Sequence, residues 1–135
     1  METSMPRKVV SQATHGYKTG NWEAAKTEAA QILKTIAESK GLTTYGELAR
    51  QISAISFDPH GYAFRHFLGE LSSESDAAGR GMITALVIYK VGDQLPGPGF
   101  FELARKLGRD VTDRVKCWSN EVKRVHDAAA PRLSP

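Results

Sequence analysis

The sequence has one cysteine, Cys117, so no intrachain disulfide can form and a disulfide-stapled scaffold is excluded. It also has no long apolar run: the longest, Met82 to Tyr89, is far short of the ~18 residues that would suggest a membrane span. The opening stretch from Met1 to Pro6 lacks the apolar segment of a secretory leader, and together with the lone cysteine this gives the expectation of a cytoplasmic protein. Charge of one sign is scarcely in excess. The net charge is +3 over 135 residues, which says little about a partner until it is divided along the chain. No internal repeat is present. No pair among His15, His60, His66, His126 and Cys117 has zinc-site spacing, and no Gly-Lys-Ser/Thr follows the glycine-rich turn. With no nucleophile–base pair or carboxylate pair that can be placed, the expectation is a non-enzyme with no metal and no cofactor.

What is present is the composition of a globular chain, 41% hydrophobic and 24% charged, of a length that suits one core. Residues 1–20 read as a flexible basic tail, with Val9-Val10 as at most a short strand, residues 21–130 as a single domain, and 131–135 as a disordered end. Asn21 reads as an N-cap, with Trp22, Ala25, Ala29, Ile32, Leu33 and Ile36 at helical spacing and Gly41 as the stop. Thr44 and Glu47 have the spacing of a capping box and start a second helix of about ten residues. Asp58-Pro59 reads as the start of a third, over roughly 59–73, with Phe64, Phe67, Leu68 and Leu71 as its buried stripe, and Ser72 to Gly81 as a loop. Met82 to Tyr89, rich in β-branched residues, reads as a strand covered on both faces. Its expected partner is Val9-Val10, Ile55–Phe57, the segment at Gln94-Leu95, or the same strand of a second subunit. Pro98, Phe100, Leu103, Ala104 and Leu107, with Gly108 as stop, predict a fourth helix. Asp110 begins a fifth whose stripe is Val111, Val115, Trp118, Val122 and Val125.

Three short helices followed by a strand and a glycine-rich turn is the order of a winged helix-turn-helix, so the fold class expected is α+β and mostly helical, with about five helices and a small β element. The segment Gly41-Leu42-Thr43-Thr44-Tyr45-Gly46-Glu47-Leu48-Ala49 resembles the one that opens the DNA-binding domain of the alkylguanine-DNA alkyltransferases and alkyltransferase-like proteins. The order continues to match over roughly residues 32–108. That family has a Pro-Cys-His-Arg-Val strand where this chain has Ile83, Thr84, Ala85 and Leu86, so the reactive cysteine and histidine are missing and alkyl transfer is excluded there. The resemblance implies a DNA-binding fold without that chemistry. It also makes Arg65 the candidate for the family's recognition-helix arginine, which turns a damaged base out of the stack. The block Met82 to Leu107, centred on Leu95-Pro96-Gly97-Pro98-Gly99-Phe100-Phe101, is similar to small bacterial proteins of no assigned activity.

The candidate nucleic-acid-binding residues are Thr44, Tyr45, Arg50, His60, Arg65, His66 and Lys90, with Arg65 and His66 toward bases and Arg50 and Lys90 toward phosphates. Arg105, Lys106, Arg109, Lys116, Lys123 and Arg124 add positive charge from the C-terminal segment. Against this, residues 42–81 set Arg50, Arg65 and Arg80 against Glu47, Asp58, Glu70, Glu74 and Asp76. Carboxylates facing a phosphate backbone would repel it. The alternative expectation is therefore a protein-interaction module that regulates or inhibits a larger enzyme or defence system. Self-association as a homodimer would run through the Met82–Tyr89 strand or the Trp118 helix.

Overall fold

At His15 and Gly16 the backbone takes positive φ, 51° and 88°, which folds β1 (Ala13–Thr14) back on β2 (Tyr17–Lys18) as a tight antiparallel hairpin. The computed structural model describes residues 13–130, so Val9-Val10 and the expected end at 131–135 lie outside the described residues. Helix α1 (Thr19–Glu38) follows β2 directly. Residues 13–20, assigned above to the tail, are thus the hairpin and the first turn of α1, and Asn21 lies inside the helix instead of capping it. Trp22, Ala25, Ala29, Leu33 and Ala37 recur every three or four residues and are all buried. The helix closes with Lys40 in the left-handed region (φ 59°): its N–H bonds to the Ala37 carbonyl, and that of Gly41 to the Ile36 carbonyl. The residue that reverses the chain is therefore Lys40, one position before the expected glycine.

The remaining elements are β3 (Thr43–Thr44), α2 (Tyr45–Gln51), α3 (Tyr62–Ala77), a 3-10 turn (Ile83–Leu86), β4 (Val87–Ile88), α4 (Pro98–Lys106) and α5 (Arg114–Ala129). Five α-helices and small two-stranded sheets make the described residues a mostly helical α+β fold, as expected. None of the helices is long and apolar enough to cross a membrane. The α3 stripe of Phe64, Phe67, Leu68 and Leu71 is buried as its spacing predicts, but its ends differ. Asp58 accepts the His60 N–H (3.0 Å) in a turn before the helix, which begins only after Gly61 and runs to Ala77 through what was expected to be loop.

The apolar run after Gly81 is not one long strand. Ser72 and Thr84 share a buried hydroxyl hydrogen bond (2.5 Å), and Ser72 Oγ also accepts the Thr84 N–H (3.0 Å). These bonds draw Ile83–Leu86 into the 3-10 turn and leave two residues for β4. β4 pairs in parallel with β3, Thr43 opposite Val87 and Thr44 opposite Ile88. Among the described residues neither Ile55–Phe57 nor the segment at Gln94-Leu95 pairs with β4 as a strand, although the Tyr89 N–H does bond to the Leu95 carbonyl (3.1 Å). This partner, β3, lies within the chain.

One apolar cluster is built from α1, α2, α3, β4 and the end of α5. A second gathers Met82, Ala85, Phe100, Phe101, Ala104 and Cys117, and Val122 packs against both. Helix α5 starts at Arg114, where the Asp113 side chain accepts the Lys116 N–H, and not at Asp110, which instead accepts the Thr112 N–H. The buried line of α5 is consequently Cys117, Glu121 and Val125, while Val115, expected in the stripe, is exposed. Trp118 donates its Nε1–H to the Ala85 carbonyl (2.8 Å), so its position is explained by contacts within the chain.

Glu121, 1% exposed, holds the two clusters in register. It accepts the Met82 N–H (2.8 Å) and the Nε–H (3.0 Å) and Nη2–H (2.8 Å) of Arg109, whose guanidinium also reaches Asp76 at the end of α3 (2.6 Å). Those hydrogen bonds hold the Arg109 pKa well above its ordinary value despite partial burial. Glu121→Ala leaves a partly buried guanidinium half-paired and a buried amide unpaired, and is expected to lower stability by about 3 kcal/mol, read as the denaturant midpoint.

On the other side, Glu28 of α1 accepts the Ser53 hydroxyl (2.5 Å) and N–H (3.1 Å) and the Ala54 N–H (2.8 Å), which holds its pKa below the ordinary 4.5. A depressed carboxylate pKa adds stability that is complete above the unfolded value and lost as pH falls through the folded one. Glu28→Gln is therefore expected to flatten the acid limb of a stability-against-pH curve below about pH 4.5. The slope there, compared with the unaltered chain, checks it.

Candidate nucleic-acid interface

Thr44 ends β3 and caps α2, its hydroxyl accepting the Glu47 N–H (3.2 Å), so the predicted cap forms. The Glu47 carboxylate does not complete the box; it turns outward to Arg50 and to Gln51 (2.9 Å). Arg50 is thus occupied by an exposed ion pair. The cap aims Tyr45, first residue of α2, across the fold, where its hydroxyl accepts the Gly97 N–H (2.8 Å). Burial pushes the Tyr45 phenol above its ordinary pKa, against the lowering effect of the Gly97 bond.

Tyr89, directly after β4, lies with its ring centre 5.0 Å from that of Tyr45 and 6.1 Å from that of His60. These three rings, with Arg65, Gly69, Gly97, Gly99 and their neighbours, line a pocket of about 140 Å³ between the N-terminal ends of α3 and α4. A cavity near 150 Å³ takes a single six-membered ring. Gly97 is needed for the close approach: a Cβ there would sit 2.6 Å from the Tyr89 hydroxyl. At Gly99 a Cβ would lie 3.5 Å from the Arg65 stem, so the arginine lies along the pocket mouth.

Of the residues predicted from sequence, Tyr45, His60 and Arg65 come together at the pocket. Thr44 serves as their cap, and Arg50 is tied to Glu47. Lys90 is exposed beside Tyr89 but does not line the pocket. His66 falls on another side of α3, stacked on His15 (ring centres 4.9 Å apart) and against Tyr62 (4.2 Å). Arg109, counted among the supporting cations, is spent on Glu121 and Asp76. Sequence reasoning missed Tyr89 and Gly97; the Pro96–Gly99 turn was the available signal, but only folding places the tyrosine beside it.

The α3 carboxylates that weighed against nucleic acid are ion-paired, although Glu74 stays 61% exposed. Glu70 accepts from Trp22 Nε1–H (2.9 Å) and Lys26 (3.2 Å), Glu74 pairs with Lys26 (2.5 Å), and Asp76 with Arg109 (2.6 Å). Burial lowers the Lys26 pKa, but the bonds and charges of Glu74 and Glu70 outweigh it and leave it raised. Arg65 and Lys90, by contrast, have no ion-pair partner among the described residues.

Cys117 is 5% exposed, and burial together with the Glu121 charge pushes its thiol above the ordinary pKa, the opposite of an activated nucleophile. Compared with protein-family models, curated proteins and solved structures, the chain matches none. Gly97→Ala is expected to displace Tyr89, cost about 1–3 kcal/mol through overpacking, and break the Tyr45 bond. Thermal unfolding, together with the near-ultraviolet dichroism of the tyrosines, checks it.

Proposed function

We propose that this protein binds DNA without catalysing a reaction on it, using the face where α2, α3 and the Pro96–Gly99 turn meet. The observation that carries the reading is a ring-lined pocket of single-ring size with the unpaired Arg65 at its mouth, on a helix whose own carboxylates Glu70, Glu74 and Asp76 are engaged by Lys26 and Arg109. Rings give a base a surface on which to stack, and an unpaired arginine gives a phosphate or base edge a donor. Lys90 adds a second cation for the backbone. The Thr43–Ala49 resemblance to the alkyltransferase-like proteins points the same way and, with Ile83–Leu86 in place of the cysteine strand, toward recognition in place of transfer.

Fluorescence anisotropy of labelled DNA at two salt concentrations tests this. Affinity is expected to fall with salt, and Arg65→Ala with Lys90→Ala to weaken binding and reduce the salt slope by about one for each phosphate contact removed. Affinity weaker than about 10⁻⁴ M for the unaltered protein would overturn the DNA reading. It would favour instead a protein partner, a larger enzyme regulated or inhibited through the same face.

A further inference from the structure

The pocket between α3 and α4 has a one-sided chemistry that stacking alone does not use. Its lining includes Arg65 and His60 but no carboxylate. Asp58, next to the lining in sequence, is turned to its own turn, where it accepts the His60 N–H (3.0 Å). Gly61 and Gly97, the residues that precede α3 and α4, both line the cavity, so the positive ends of two helix dipoles meet there. Leu68 and Phe100, both buried, supply an apolar side.

The remaining polar groups are donors. The Tyr45 hydroxyl already accepts the Gly97 N–H (2.8 Å), which leaves its own proton to give. The Tyr89 hydroxyl comes to the same glycine, since a Cβ on Gly97 would sit 2.6 Å from it and 3.5 Å from the hydroxyl of Tyr45. Arg65, exposed and without an ion-pair partner among the described residues, adds a charged fork at the mouth, its stem 3.5 Å from where a Cβ on Gly99 would lie. A neutral base leaves this surplus of donors and positive charge unanswered. A ligand that answers it brings one flat ring, for a space of about 140 Å³, and a negative acceptor.

We infer that the pocket takes a free single-ring aromatic carboxylate, its ring against Leu68, Phe100 and the two tyrosines and its carboxylate on Arg65, and that this ligand competes with DNA. The competition rests on the DNA-binding reading; the ligand site does not. Arg65 is the group that both partners need, and a guanidinium whose fork is closed by a carboxylate is neutralised and no longer draws a phosphate.

Isothermal titration of the full chain with benzoate, benzamide and benzylamine tests the site, because the three share a ring and differ in charge. Benzoate is expected to saturate one site, and the other two to bind about tenfold more weakly or worse. Arg65→Gln, at an exposed position, lowers benzoate affinity about tenfold by loss of the charge-assisted pair, and Arg65→Lys, which keeps the charge without the fork, recovers part of it. Equal affinity for benzamide or benzylamine, absence of saturable benzoate binding, or binding that survives Arg65→Gln overturns the ligand. Displacement is read separately, from the anisotropy of labelled DNA in benzoate and in acetate at the same concentration, since acetate supplies the ionic strength without the ring. Benzoate is expected to release DNA at the concentration that half-fills the pocket, and acetate to leave it bound. DNA that stays on a benzoate-saturated protein overturns the competition and leaves the ligand site standing. A chain that binds benzoate but no DNA overturns the DNA reading, and the competition with it, while the ligand site again stands.

Discussion

A carboxylate removed from water must be matched by donors, and at Glu121 that requirement organises half of the molecule. Its oxygens take the Met82 amide and two bonds from Arg109, and Arg109 in turn takes Asp76. α5, the segment entering the 3-10 turn and the end of α3 are therefore held relative to one another by a single charged centre. Arg109 reaches it because α4 ends in a left-handed Gly108 (φ 92°), after which the Arg109 N–H bonds back to the Ala104 carbonyl. With Met82 held, Thr84 meets Ser72, β4 begins at Val87, and Tyr89 emerges beside Tyr45. The pocket, far from Glu121 in sequence, depends on it for its shape.

Charge is also distributed unevenly over α3. Its acidic residues reach Lys26 of α1 and Arg109 after α4, and its first turns carry arginine, histidine and tyrosine toward solvent. A count along the chain finds residues 42–81 acidic; in the fold Glu70, Glu74 and Asp76 of that stretch are engaged by Lys26 and Arg109, while Arg65 has no ion-pair partner among the described residues. Net charge over a segment is a poor guide to a surface when one helix sorts its signs by face.

Local signals were legible wherever a single element decides the outcome. The Phe64–Leu71 stripe, the Thr44 cap, the Pro98 start and the Gly108 stop all follow from spacing and backbone chemistry. They fail where partners distant in sequence intervene. Met82 to Tyr89 has the composition of a strand, but apolar runs of this length do not distinguish a covered strand from other buried backbone, and Ser72 and Glu121 settle it as a 3-10 turn followed by two strand residues. Val115 keeps helical spacing with Trp118 yet is exposed, because the helix starts at Arg114 and turns Cys117 and Glu121 inward. Of the site, Tyr45, His60 and Arg65 were named from the sequence. Tyr89 and Gly97 were not, since their significance is a close packing, with room for no Cβ at Gly97, between groups that no local pattern relates.

The sequence by itself determined the mostly helical α+β class, the buried stripes of α1 and α3 and the exclusion of an intrachain disulfide. Each of these depends on residue type and short-range periodicity, which folding does not alter. Only the tertiary structure decided the parallel pairing of Thr43-Thr44 with Val87-Ile88, the burial of Glu121, and the gathering of Tyr45, His60, Tyr89 and Arg65 around one pocket. Those features arise from contacts across dozens of residues, between groups whose energies are defined only once water has been excluded and each buried polar atom has found its partner.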